Sequence, residues 1–199
     1  MINEFEIGAV RFFNELGRET IIDEISWLVS YIPFMVAFVI GVLLMVYLND
    51  FLRKTKDKEK GKWKAVFLAV IVALLLHGLV TNLLIKEIGG GFVGIRERPY
   101  VIYLDVISIG ERFTDSSFPS GHMASSAAFL TVIGYFYARG KKKYLVIWGI
   151  MATGLIMAFS RLHNGMHYPS DVLFGALFGL VYGWVGVKVS KRIVGGVKE

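Results

Sequence analysis

The sequence predicts an all-α, polytopic membrane helical bundle: about five transmembrane helices with an N-terminal amphipathic helix ahead of them, in one domain over residues 1–199. Three observations predict it. Hydrophobic residues make up 55% of the chain and gather into long runs, whereas half-buried strands alternate and surface helices are striped. Five of the runs approach the ~20 helical residues that a hydrocarbon core requires. The positive charge is collected between those runs in a few dense blocks.

Residues 1–24 are mixed and acidic. Within them "FEIGAVRFFNELG" has the pattern of an amphipathic helix lying at the outer membrane surface, and the lack of a positively charged leader argues against a cleavable signal peptide. The first span is expected from Trp27 to Leu48 and the second from Ala65 to Ile85, with a basic loop at 50–64 between them. Three shorter spans, richer in Gly and Ala, follow: Ser120 to Ala138, Tyr144 to Leu162 and Val172 to Val189. Small residues let helix backbones approach closely in lipid, and Gly175, Gly179 and Gly183 recur at four-residue spacing on one helix face. These three spans are therefore expected to form the packed interior.

Of the 22 Lys and Arg, seven lie between Arg53 and Lys64, four at 139–143 and four from Lys188 onward. Five spans place all three blocks on one side, which the positive-inside rule makes cytoplasmic. The amino terminus is then outside and the carboxyl terminus inside. This topology explains most of the net charge of +6, so no nucleic-acid partner is expected; membrane lipids are. The absence of cysteine excludes disulfides, thiolate catalysis and Cys-ligated metals.

The same topology carries three ionisable segments to the outer face: "IRERPY" (95–100), "FPSGHMASS" (118–126) and "SRLHNGMHYPSD" (160–171). Phosphoryl transfer explains the choice of residue types. Its transition state spreads negative charge over three oxygens, so positive charge and positioning do most of the work. Arg98 and Arg161 each offer a fork for two phosphate oxygens. Gly121 offers an unobstructed amide at a helix start, and Ser120 can cap that helix or donate to the phosphate. Two histidines can divide the chemistry, one neutral as nucleophile and one protonated as acid. Asp171 follows His167 by four residues with Pro169 between them, so a turn is expected to bring the carboxylate to the imidazole.

On these residues the chain resembles the type 2 phosphatidic acid phosphatase superfamily, which also contains bacterial acid phosphatases and vanadium haloperoxidases. "PSGH" stands intact at 119–122, and the pattern Ser-Arg-x5-His-x3-Asp is complete as Ser160, Arg161, His167 and Asp171. The resemblance implies that family's helical core and a metal-independent lipid phosphatase working through a phosphohistidine, with no cofactor. It implies His167 as nucleophile, Asp171 as its orienting carboxylate and His122 as the acid to the leaving group, with Arg98, Ser120, Gly121 and Arg161 holding phosphate. The motif-bearing region runs from 86 to 171. The first motif departs from the family's Lys-x6-Arg-Pro: Arg98 and Pro99 are present, but Gly91 stands where the lysine belongs. Lys86, folded back through "GGGFVG", and Arg96, in the "RERPY" of the undecaprenyl-diphosphatase branch, are equal candidates to replace it.

The expected substrate is a lipid phosphate or diphosphate, a polyprenyl diphosphate first, with phosphatidate or phosphatidylglycerophosphate as the alternative. The rivals are a vanadate-dependent oxidase and a non-catalytic lipid-phosphate binder. His163 and His167 have metal-ligand spacing but lack further ligands, so no metal site is expected and His163 reads as a polar residue near the site. His77 and Asn82, inside the second span, read as interhelical hydrogen-bonding residues. Glu97, Asp105 and Glu111 read as solvated loop acids.

Overall fold

A computed structural model describes residues 4–52, 62–93 and 95–194. Their regular structure is entirely helical, in nine α-helices, one π-helical segment and one short 3-10 turn. Most of the basic loop expected at 50–64, and the residues after 194, lie outside the described residues.

α1 (Glu4–Glu15), α2 (Ile21–Ser30) and α3 (Ile32–Leu52) come first. The first expected span is therefore two helices, not one: α2 and α3 meet at Tyr31 with a bend of 66°. Pro33 supplies the reason, because it has no N–H for the carbonyl one turn earlier and its ring clashes there. Tyr31 sits in extended backbone and closes α2 by donating to the Leu28 carbonyl. α4 (Lys62–Leu76) runs on into a π-helical segment, His77–Gly89, and the short α5 (Gly90–Val93). α6 (Pro99–Ile102) follows, then α7 (Gly121–Tyr137), α8 (Lys143–His163) and α9 (Pro169–Val194). The second, third, fourth and fifth expected spans thus correspond to α4 with its π extension, α7, α8 and α9.

Three of these segments are long and apolar enough to cross a membrane, Lys62–Gly89, Gly140–His163 and Pro169–Val194, and the bent α2–α3 pair makes a fourth if taken as one span. The protein is a membrane protein. α7 has 17 residues, about 25 Å at 1.5 Å per residue, and is the most enclosed of the long helices. Eight of its seventeen residues are buried, from Met123 and Ala124 to Val132 and Phe136, and none is fully exposed.

The core joins α3, α4, α7 and α9 through small side chains: Ala65, Ala69 and Ala73 of α4 and Ala124 and Ala128 of α7. α9 presents glycine to both neighbours. A Cβ on Gly179 would stand 2.3 Å from the Ala124 carbonyl oxygen, one on Gly183 2.6 Å from that of Ala128, and one on Gly186 2.3 Å from that of Ala69. α7 and α9 consequently touch backbone to backbone, and the residues at their adjacent ends are held in register. Ser120 donates its amide to the Asp171 carbonyl at 3.0 Å.

α1 does not lie apart from the bundle. Its Ile7 and Val10 pack with Val106 and Tyr168, while Phe5 and Phe12 face outward. Asn14, fully buried, donates to the carbonyls of Ile107 (2.8 Å) and His163 (2.6 Å) and accepts from the Ile107 amide (2.9 Å). These bonds tie α1 to the loops around the site.

Candidate active site

The ends of α4, α7, α8 and α9 that bear the sequence motifs gather at one end of the bundle. His167 lies in the loop between α8 and α9, almost fully buried. Its Nδ1 is 2.7 Å from the Ser117 carbonyl oxygen. A carbonyl only accepts, so Nδ1 carries the proton and Nε2 keeps the lone pair. That Nε2 is 3.3 Å from Arg98 Nη1. Burial first, then the positive charges of Arg161, Arg98 and Lys86, holds the imidazole's proton affinity well below its ordinary value. The ring is a neutral imidazole whose unprotonated Nε2 faces cations.

Asp171 opens α9. Its Oδ2 accepts the Tyr168 amide at 2.9 Å and lies 3.7 Å from His167 Nδ1. Its Oδ1 receives Arg96 Nη1 at 2.5 Å. The carboxylate therefore secures the turn that carries the imidazole, while the Nδ1 hydrogen bond itself goes to Ser117.

Arg161 ends α8 and is the largest of the fully buried side chains. Its Nε and Nη2 have no hydrogen-bond acceptor among the described residues, nor does Arg98 Nε. Arg98 is held by the Met166 carbonyl (3.1 Å) and by Asp115 (2.5 Å). Asp115 also receives Lys86 Nζ at 2.5 Å. Burial alone would raise this carboxyl, but hydrogen bonds and charge from Lys86 and Arg98 outweigh it and hold it low. Lys86 reaches the cluster from the π-helical segment, whose wider turn resets which side chains face inward.

The other first-motif candidate is placed differently. Arg96 donates to Ser170 (2.8 Å), Asp171 (2.5 Å) and Glu6 (2.9 Å), with its guanidinium 4.3 Å from the Tyr168 ring centroid. Its donors are spent behind Asp171, whereas Lys86 shares a carboxylate with Arg98.

Ser120 caps α7, its Oγ accepting from the Met123 amide at 3.4 Å. The first-turn amides of Gly121 and His122 have no intrahelical acceptor, as at any helix start. His122 Nε2 lies 3.0 Å from the Ser30 carbonyl oxygen, so that nitrogen carries its proton. That carbonyl is free because the α2–α3 break removes its partner in the next turn. His77 and Asn82 come to the back of this turn: a Cβ on Gly121 would be 3.5 Å from His77 Cε1 and 3.6 Å from Asn82 Oδ1. One interhelical hydrogen bond of this region joins Thr81 to Tyr182, at 2.9 Å. His163 is fully buried, with Nδ1 2.7 Å from the Phe13 carbonyl and Nε2 2.8 Å from Asp23; it fastens α1 and α2 to the end of α8. Asp105 pairs on the surface with Arg11 at 2.5 Å. No three His, Asp or Glu among the described residues cluster as a metal-ligand set.

Beside Arg98 opens a cavity of about 1050 Å³, lined on its polar side by Glu6, Arg96, Arg98, Arg112 and Asp115. Its other wall is apolar, with Ile95, Val101, Ile102, Phe118 and Phe174.

Sequence reasoning missed Asp115, Ser117, Ser30 and Glu6. Ser117 and Ser30 act through backbone carbonyls, which leave no side-chain signature. Asp115 and Glu6 were findable only as acids that must balance buried Lys and Arg.

A helical membrane core thus carries, at one end, the buried Arg161 with two nitrogens lacking acceptors among the described residues, together with Arg98 and two histidines. The chain matches the PAP2 superfamily over residues 64–194 and belongs to it. It is 31% identical over 113 residues to "Undecaprenyl-diphosphatase BcrC" of Bacillus subtilis, covering 57% of this chain and 52% of that protein. It is 39% identical over 71 residues to "Phosphatidylglycerophosphatase B" of Haemophilus influenzae, covering 34% and 30%. The chain thus spans about half or less of these curated relatives. Among solved structures, a transmembrane PAP2-type phosphatidylglycerolphosphate phosphatase from Bacillus subtilis superposes with a TM-score of 0.65 at 19% identity, over 95% of this chain and 86% of that one. That likeness is one of fold.

Proposed function

We propose that this protein hydrolyses the terminal phosphate of a membrane lipid phosphate or diphosphate through a covalent phosphohistidine, with a polyprenyl diphosphate as the preferred substrate. The observation that carries the reading is Arg161: a fully buried guanidinium with two nitrogens lacking acceptors. A guanidinium stays charged in proteins, and a buried charge without a counter-ion is strongly unfavourable. A phosphoryl group, shared with Arg98 and with the first-turn amides of α7, satisfies it. The half-apolar cavity beside the cluster suits an amphiphile whose head is anionic and whose tail stays in the bilayer.

In the first step His167 Nε2 attacks phosphorus; the Nε2–P bond forms, the bond from phosphorus to the lipid oxygen breaks, and His122, doubly protonated when substrate is bound, gives that oxygen its Nδ1 proton while Nε2–H stays with the Ser30 carbonyl. In the second, water attacks the phosphohistidine, its proton passes to His122, and the Nε2–P bond breaks to release phosphate. Asp171 holds the turn behind His167, and Lys86, sharing Asp115 with Arg98, takes the part of the missing first-motif lysine. The longer match to the undecaprenyl-diphosphatase supports the diphosphate preference, with phosphatidate and phosphatidylglycerophosphate as the alternative. The basic blocks at the end of the bundle away from the site support an outward-facing site.

The test measures phosphate release from a panel of lipid phosphates and diphosphates in detergent with chelator present. The parent chain is expected to release phosphate and His167→Ala to lose at least about a thousandfold in kcat. Activity that disappears with chelator, or that survives in His167→Ala, overturns the mechanism.

A further inference from the structure

The loop ahead of α7 carries a cation that this mechanism does not use. Arg112 lines the same cavity as Arg96 and Arg98. Its guanidinium is exposed, stands 5.9 Å from the Tyr100 ring centroid, and makes no ion pair with any carboxylate of the described residues. By contrast, Arg96 is committed to Asp171 and Glu6, and Arg98 to Asp115.

The next residue fixes where Arg112 stands. Tyr100 Oη donates to the Phe113 carbonyl at 2.8 Å and accepts the Phe113 amide at 3.0 Å. This double bond to one residue clamps the backbone. The ring so held lies 5.2 Å from the Arg98 guanidinium and, edge on, 6.2 Å from the His122 imidazole. It also lines the small second cavity beside Arg161. Phe113 therefore borders the side of the phosphate site from which the leaving group departs toward His122, and Arg112 is the adjoining cation on the large-cavity side.

We propose that Arg112 is a specificity-determining residue that binds the phosphate remaining on the lipid when the substrate is a diphosphate. The inference rests on the hydrolytic reading above and deepens it. Breaking the terminal P–O bond of a diphosphate leaves an anionic phosphate monoester on the lipid, whereas a monophosphate leaves a neutral alcohol once His122 has donated its proton. A cation beside the departing oxygen discriminates between these two. A guanidinium also suits a phosphate group because its planar fork can meet two oxygens at once. Of the three carboxylates in the cavity, Glu6 is paired with Arg96 and Asp115 with both Lys86 and Arg98, and Glu97 makes no ion pair among the described residues, so none of them claims Arg112 and its donors remain for an anion.

The experiment compares kcat/KM for a polyprenyl diphosphate and for the corresponding monophosphate, in detergent, for the parent, Arg112→Gln and Arg112→Lys. Inhibition by inorganic diphosphate and by orthophosphate is measured on the same proteins. Loss of one charged hydrogen-bonding partner predicts that Arg112→Gln lowers the diphosphate-to-monophosphate ratio about tenfold, chiefly through KM. Inhibition by inorganic diphosphate is expected to weaken more than inhibition by orthophosphate, and Arg112→Lys to restore much of both. An equal loss on both substrates, or an unchanged ratio in a parent that hydrolyses the diphosphate, overturns the proposal while the hydrolytic reading stands. A parent that hydrolyses no lipid phosphate overturns both.

Discussion

Arg161 and His167 show how burial changes what ordinary side chains can do. The guanidinium lacks acceptors because the protein supplies none, and the imidazole is kept neutral because burial and three cations disfavour a fourth positive charge. The sign of the consequence is definite. A free imidazole is half protonated near pH 6.5, whereas that of His167 remains neutral there. Between its lowered value and about 6.5 the unfolded chain binds the extra proton, so stability falls as pH falls through this window. Ring-labelled histidine NMR in detergent, with His167 assigned by its disappearance in His167→Ala, is expected to show an Nδ1-protonated neutral ring at pH 6.5; a charged ring there contradicts this electrostatic account. The candidate site residues were legible from the chain alone, since Pro-Ser-Gly-His and Ser-Arg-x5-His-x3-Asp place them by spacing. The partner of His167 Nδ1 was not. It is a main-chain oxygen of Ser117, fifty residues away, and no side chain announces it.

At the scale of elements, the close approach of α7 and α9 sets the site, because it joins the Ser120 amide to the Asp171 carbonyl. Gly179 is the tightest point on that seam, with the Ala124 carbonyl 2.3 Å from a would-be Cβ. Gly179→Ala is expected to cost roughly 1–3 kcal/mol through overpacking and to lower the thermal midpoint in detergent. Gly149→Ala on α8, where nothing lies within 4 Å of a Cβ, is the control, expected to be neutral or to gain up to about 1 kcal/mol from helix propensity. Equal effects at the two positions would remove close packing as the explanation. The glycine spacing made this seam legible beforehand. The bend at Tyr31 was hidden because an apolar run reads alike whether one helix or two carry it. The π-helical course of His77–Gly89 was hidden as well, since apolar content does not report hydrogen-bond register.

For the whole molecule, the basic segments and the candidate site occupy opposite ends of the bundle: Lys62, Arg139, Lys141 and Lys188 at one, Arg98, Arg161 and His167 at the other. With no native cysteine, single engineered thiols report orientation cleanly. In intact cells, Glu111→Cys is expected to react with a membrane-impermeant maleimide and Lys141→Cys only after permeabilisation; the reverse pattern inverts the orientation. The sequence by itself determined the helical membrane architecture and which arginines and histidines are candidates for the site, because hydropathy and motif spacing are local properties of the chain. Only the tertiary structure decided how Lys86 and Arg96 divide between Asp115 and Asp171, how α1 fastens to the loops around the site, and which cation of the cavity is left without an ion pair among the described residues. Those are matters of charge pairing in space, where one buried carboxylate can neutralise cations far apart in sequence and leave another free.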